Sequence, residues 1–208
     1  MFGAAIFLAS AMSPVTTTSQ VSRRIFQNYP TWAVRDGKSA AAVIETIVEV
    51  DGTVRECTVV SFVGDVRLAN YQCDIVKRQT LRPALDPDGN PIIGKYRTMI
   101  IHWVEGSRQK EAVQRAVREP DMTLTFNRVA DTEQRPFKVE LVLLVKADGS
   151  VAACEGASGK NEGVPLAWIA TACGEAAKLT GDLVTGPSGR PTDYVTNMTV
   201  QFEQDSSA

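Results

Sequence analysis

The stretch 42–104 occurs twice in this chain, and any fold has to accommodate both copies. It reads as an apolar run, Asp51-Gly52, a second apolar run with Cys57, a helical period with Cys73, Gly89-x-Pro91, and Tyr96-x-Thr98 opening a last apolar run. From Phe137 the landmarks return in order: Asp148-Gly149, Cys154, Cys173, Gly189-x-Pro191 and Tyr194-x-Thr196. Six landmarks in register argue for two copies of one small unit. The chain has 208 residues, 44% hydrophobic and 22% charged, an ordinary globular composition. It has room for two units of about 80–100 residues each.

Within the first copy, residues 42–50 alternate. Ile44, Thr46, Val48 and Val50 share one face, with Glu45 and Glu49 on the other. Asp51-Gly52 predicts a two-residue type I′ hairpin turn, which needs positive φ at both central positions. Residues 53–61 return as the second strand. Residues 66–79 predict a helix whose stripe of Ala69, Cys73 and Val76 faces the sheet. Arg82-Pro83 ends it, 86–91 is a turn cluster, and 96–104 is a third strand. The expected class is α+β: two small repeats, each a β-hairpin, a helix and a third antiparallel strand. In the second copy, 137–145 and 151–156 form the hairpin and a helix opens near Pro165. Residues 194–202 then alternate as the last strand.

The domain reading places a linker at 12–27, the first unit at 28–104, a linker helix at 105–120 and the second unit at 121–204. The linker is Thr- and Ser-rich. The helix carries Ala112, Val113, Ala116 and Val117 and stops at Pro120. Met122, Leu124 and Phe126 alternate and predict one further strand.

Four cysteines allow three pairings. The repeat singles out Cys57–Cys73 and Cys154–Cys173, each pinning a strand to the helix above it; buried free thiols are the alternative. The single histidine, His102, aligns with Val200 at an inward position of the third strand and reads as a core histidine. On the other face Met99, Ile101 and Trp103 are apolar where the second copy carries Asn197, Thr199 and Gln201. A strand apolar on both faces is covered on both. The expected cover is the linker helix, the second copy or a partner.

Net charge is −2, which gives no electrostatic footprint for nucleic acid. No nucleophile–base set, metal-ligand spacing or phosphate loop emerges, so no enzyme activity, metal or cofactor is expected. Residues 2–11 are apolar and uncharged and end in Ala9-Ser10-Ala11, like the end of a secretory signal peptide. Paired cysteines also point to export. The run is too short to span a bilayer, so no transmembrane anchor is expected.

Several pieces of the first copy resemble the C-terminal domain of TonB-type energy transducers. They are Tyr29-Pro30-x-x-Ala33, Asp51-Gly52-x-Val54, Arg78 and Arg82-Pro83-Ala84, together with the order hairpin, helix, strand. The resemblance covers about residues 28–104. The second copy keeps the hairpin, the cysteines and the final strand and lacks the Tyr-Pro and Arg-Pro-Ala elements. The resemblance implies a periplasmic Gram-negative protein. It also implies a mode of action, the pairing of a sheet edge with an extended segment of an outer-membrane transporter or another envelope protein. The implied contact residues are Tyr29, Pro30, Arg97, Met99, Ile101 and Trp103. A proline at Thr98 or Ile100 is then expected to block the pairing. The alternative is a structural adaptor, a monomer whose two copies form an internal pseudo-dimer and satisfy each other's edges.

Overall fold

The computed structural model describes residues 12–126 and 137–204. The apolar run 2–11, read as a signal peptide, lies outside them. Two short helices, α1 (Ser19–Gln27) and α2 (Thr31–Arg35), precede a hairpin of β1 (Ala40–Val48) and β2 (Val54–Gly64). α3 (Val66–Lys77), the short pair β3 (Ala84–Leu85) and β4 (Pro91–Ile92), and the long β5 (Gly94–His102) follow. After α4 (Lys110–Gln114) and β6 (Met122–Phe126) come β7 (Phe137–Val145), β8 (Val151–Gly156) and α5 (Leu166–Ala176). The chain closes with β9 (Val184–Thr185), β10 (Pro191–Thr192) and β11 (Tyr194–Gln204). Among the described residues no helix is long and apolar enough to cross a membrane.

The long strands form one mixed sheet in the order β2-β1-β5-β11-β7-β8, with β6 also against β11. Pairing is antiparallel on either side of the centre, whereas β11 runs parallel to both β5 and β6. Alternation decides which residues are inside. Ala40, Ala42, Ile44 and Val48 of β1 pack with Leu68, Ala69, Ile75 and Val76 of α3. Asp65 starts α3 by accepting the Leu68 N–H at 3.0 Å. Val139, Leu141, Leu143 and Val145 of β7 pack with Ala172 and Ala176 of α5. The intervening Val142, and Val195 of β11, join the cluster beneath α3 instead. The two helices therefore cover opposite faces of the sheet.

Four expectations are corrected. Residues 12–27 are not a linker. Ser13 and Thr16 pair their backbones with Leu85 and Arg82, and Val15 is 1% exposed. Val15 lies so close over Gly94 that a Cβ added there would stand 2.2 Å from its Cγ2. The Thr/Ser content hid this, because one buried valine in an irregular segment leaves no period. The linker helix shrinks to α4, whose Val113 is fully buried. Arg118 beyond it turns away to bond Thr199. The Asp51-Gly52 turn holds three residues rather than two: Gly52 N–H donates to Glu49 at 2.9 Å and Glu49 N–H to Thr53 at 2.8 Å. Gly52 takes φ +85, the left-handed step such three-residue loops need. Finally, the third strand begins at Gly94 and ends at His102, two residues earlier than read.

Both expected cysteine pairs are joined. Cys57–Cys73 ties β2 to α3 with Cα atoms 5.5 Å apart, and Cys154–Cys173 ties β8 to α5 at 5.6 Å.

Candidate functional site: the forked edge of β5

β5 has two unlike edges. Along one it pairs with β1 over its whole length, from Ala40↔His102 to Val48↔Gly94. Along the other only Gly94 and Lys95 pair with a strand, at Val195 and Thr196 of β11. There the two strands part.

At the fork, the side chain of Asn197 replaces a strand. Its Oδ1 accepts the Arg97 N–H at 3.0 Å and its Nδ2 donates to the Arg97 carbonyl at 3.0 Å. One side-chain amide thus makes the two bonds that a neighbouring peptide group would make. Backbone direction alternates along a strand, so Met99 and Ile101 aim their N–H and C=O groups the same way as Arg97. Among the described residues no strand lies against them. β11 is meanwhile closed off on that side. Asp121 exchanges bonds of 2.8 Å with Thr199, its N–H to the carbonyl and its carboxylate with the N–H, and β6 pairs beyond it.

A charged network holds the fork in place. Arg97 reaches Glu45 at 2.7 Å and Asp121 at 3.0 Å, and Arg118 reaches Asp121 at 2.5 Å. Arg118 also donates to the Thr199 hydroxyl, which donates in turn to Glu140, both at 2.9 Å. Lys95 bridges Glu45 at 3.2 Å and Asp182 across the strand junction. That ammonium holds the Asp182 carboxyl below the usual carboxylate range. A groove of about 470 Å³ lies in the fork, lined by Tyr96, Thr98, Met99, Arg118, Glu140 and Lys160. Beside it, under α1, is an apolar cavity of about 120 Å³ between Ile25, Phe26, Ile44 and Ile100. Fixed amides and carbonyls at strand spacing, with a groove beside them, can take an extended peptide.

The expected contact residues fall into three groups. Met99 and Ile101 lie on the open edge. Arg97 is on it too, but its backbone is clamped by Asn197 and its guanidinium by carboxylates. Trp103 sits just past the strand end, 43% exposed, with the Lys110 ammonium 4.9 Å over its ring. Tyr29 and Pro30 are used inside the fold. The Tyr29 hydroxyl donates to the Lys38 carbonyl, its ring lies 5.3 Å from that of His102, and Pro30 is buried at the start of α2. The proline positions need correction as well: Thr98 and Ile100 face β1, and Met99 and Ile101 face the fork.

His102 is 2% exposed, with Nε2 3.1 Å from the Ile25 carbonyl. Burial pushes its pKa below the ordinary value. Asn197, Asp121 and Arg118 were not singled out by sequence reasoning. The signal for Asn197 was present, since aligning the sequence on Tyr96 and Tyr194 sets polar Asn197 and Thr199 against apolar Met99 and Ile101. Asp121 and Arg118 lie in an irregular segment that carries no pattern.

No family model matches the chain, and no curated protein does. Among solved structures, the chain is similar to the NMR solution structure of Helicobacter pylori TonB-CTD (residues 179-285). The identity is 16%, over 41% of this chain and 78% of that chain, with a TM-score of 0.32.

Proposed function

We propose that this chain is a non-enzymatic, TonB-like protein-binding module that captures an extended segment of a partner by strand addition to β5. The observation that carries the reading is the edge at Met99 and Ile101, where among the described residues no strand pairs, with a groove beside Met99. The pieces in residues 28–104 that resemble TonB C-terminal domains favour a periplasmic setting and an outer-membrane transporter segment as the partner. In this reading the chain is exported by the signal-like run at its start, and its halves are two copies of one unit. Strand addition needs no reacting group, and affinity comes from backbone hydrogen bonds.

The test uses synthetic peptides of about ten residues, a length that covers one strand, taken from N-terminal segments of outer-membrane transporters. Binding is read by fluorescence anisotropy against the full chain. Met99→Pro removes one fork-facing N–H without touching the β1 ladder, and it should weaken capture at least tenfold while circular dichroism is unchanged. A folded Met99→Pro variant that binds as well as the parent would count against edge pairing. The adaptor reading is favoured by one observation, the joining of β5 to β11 at Gly94 and Lys95. It predicts that no extended peptide binds the fork.

A further inference from the structure

The two outer strands of the sheet are unlike. β8 is six residues long and carries Glu155. β2 is eleven residues long, and among the described residues nothing pairs with its outer edge. Residues 57–64 hold no charge and no proline. Val60, Phe62 and Val63 are 49%, 47% and 39% exposed. Edge strands that must stay single are kept short, charged, bulged or covered. β2 has two bulges, which leave Val60 and Arg55 without partners on β1, but its tract 57–64 is neither short nor charged, nor covered among the described residues.

We propose that β2 pairs antiparallel with β2 of a second copy of this chain, about a two-fold axis at Val60. The sequence of the edge is what selects the occupant. That axis sets Thr58 across from Phe62 of the second copy, Cys57 from Val63, and Glu56 from Gly64. It sets Arg55 across from Asp65, so opposite charges meet at both ends and like charges nowhere. A head-to-tail pairing of β2 with β8 would bring Glu155 into the apolar tract, and it would build an open filament instead of a closed pair. The self-paired edge buries Val60, Phe62 and Val63 in both copies at once. It lies on the far side of β1 from β5, so it leaves the fork free.

The experiment is sedimentation velocity on the full chain from about 1 μM to 1 mM, the range in which a weak to moderate dimer reveals itself. The expected result is a monomer–dimer equilibrium. Val60→Lys and, separately, Thr58→Lys should shift it at least tenfold toward monomer, with circular dichroism unchanged. Val60→Cys should crosslink to itself under mild oxidation, because the axis brings the two copies of that position together. A monomer at every concentration overturns the proposal. So does a dimer that both lysine variants leave intact, or assembly into filaments. Peptide capture at β5 is a separate readout, and its success or failure leaves the sedimentation result standing.

Discussion

His102 is the one histidine of the chain, and it is enclosed. Its Nε2 faces the Ile25 carbonyl, so the neutral ring donates there, and Nδ1 is buried with no partner among the described residues. Phe26 and Tyr29 surround it with ring centroids at 6.4 and 5.3 Å. Charging the ring costs desolvation, so the folded pKa lies below the ordinary value of 6.5. The sign follows directly: above about pH 6.5 the ring is neutral folded and unfolded, and stability is full. As pH falls below that, the unfolded chain takes the proton first, and stability declines until the folded pKa is passed. The melting temperature should therefore drop between pH 7.5 and pH 5. His102→Gln should flatten that drop, because no other side chain of the chain ordinarily titrates there. An equally steep drop in the variant would place the sensitivity elsewhere. Gly94 makes a second point at this scale. Its backbone is ordinary, and what it provides is space for Val15. Gly94→Ala should cost stability in denaturant titrations, and a Val15→Ala background should recover part of it, since the two changes share one contact.

At the scale of elements, β7 and β8 have the bounds read for them, 137–145 and 151–156, and α3 begins at Val66 as its stripe predicts. Both disulfides were legible because each pairs a strand with the helix above it. What was not legible is what joins distant segments. The parallel pairing of β5 with β11, and of β6 with β11, involves residues about a hundred positions apart in the first case and leaves no local period. The buried stretch at Val15 and the clamp of Asn197 on Arg97 are single contacts, visible only once the chain is folded. Of the residues named on β5, Arg97, Met99 and Ile101 face the open edge, whereas the proline positions Thr98 and Ile100 face β1. That alternation is fixed by the partner strand β1, which the sequence of β5 does not record. The disulfides allow a quantitative expectation. Cys57 and Cys73 are separated by 16 residues, so the crosslink removes loop entropy from the unfolded chain. Replacing both with alanine should lower unfolding free energy by about 3 kcal/mol in urea titrations.

As a whole molecule, the chain is joined through its centre. The cluster under α3 takes Val142 and Val195 from the second half, and the cluster under α5 takes Ile93 from the first. Arg55 donates to the Thr185 carbonyl at 2.6 Å, and Lys95 meets Asp182, so charges tie the halves as well. Neither half can unfold without stripping apolar surface from the other, and the two should melt together. The three tryptophans report on this, with Trp32 and Trp103 in the first half and Trp168 in the second. Removing Cys154–Cys173 as a double alanine variant should cost about 3 kcal/mol. In a Trp168→Phe background, where only Trp32 and Trp103 emit, the same loss should be seen from the first half. If that transition stayed in place while the secondary structure of the second half melted early, the halves would be separate domains. Coincident transitions would place the open edge of β5 and α5 in one cooperative unit, so that a strand added at that edge would be felt across the whole sheet.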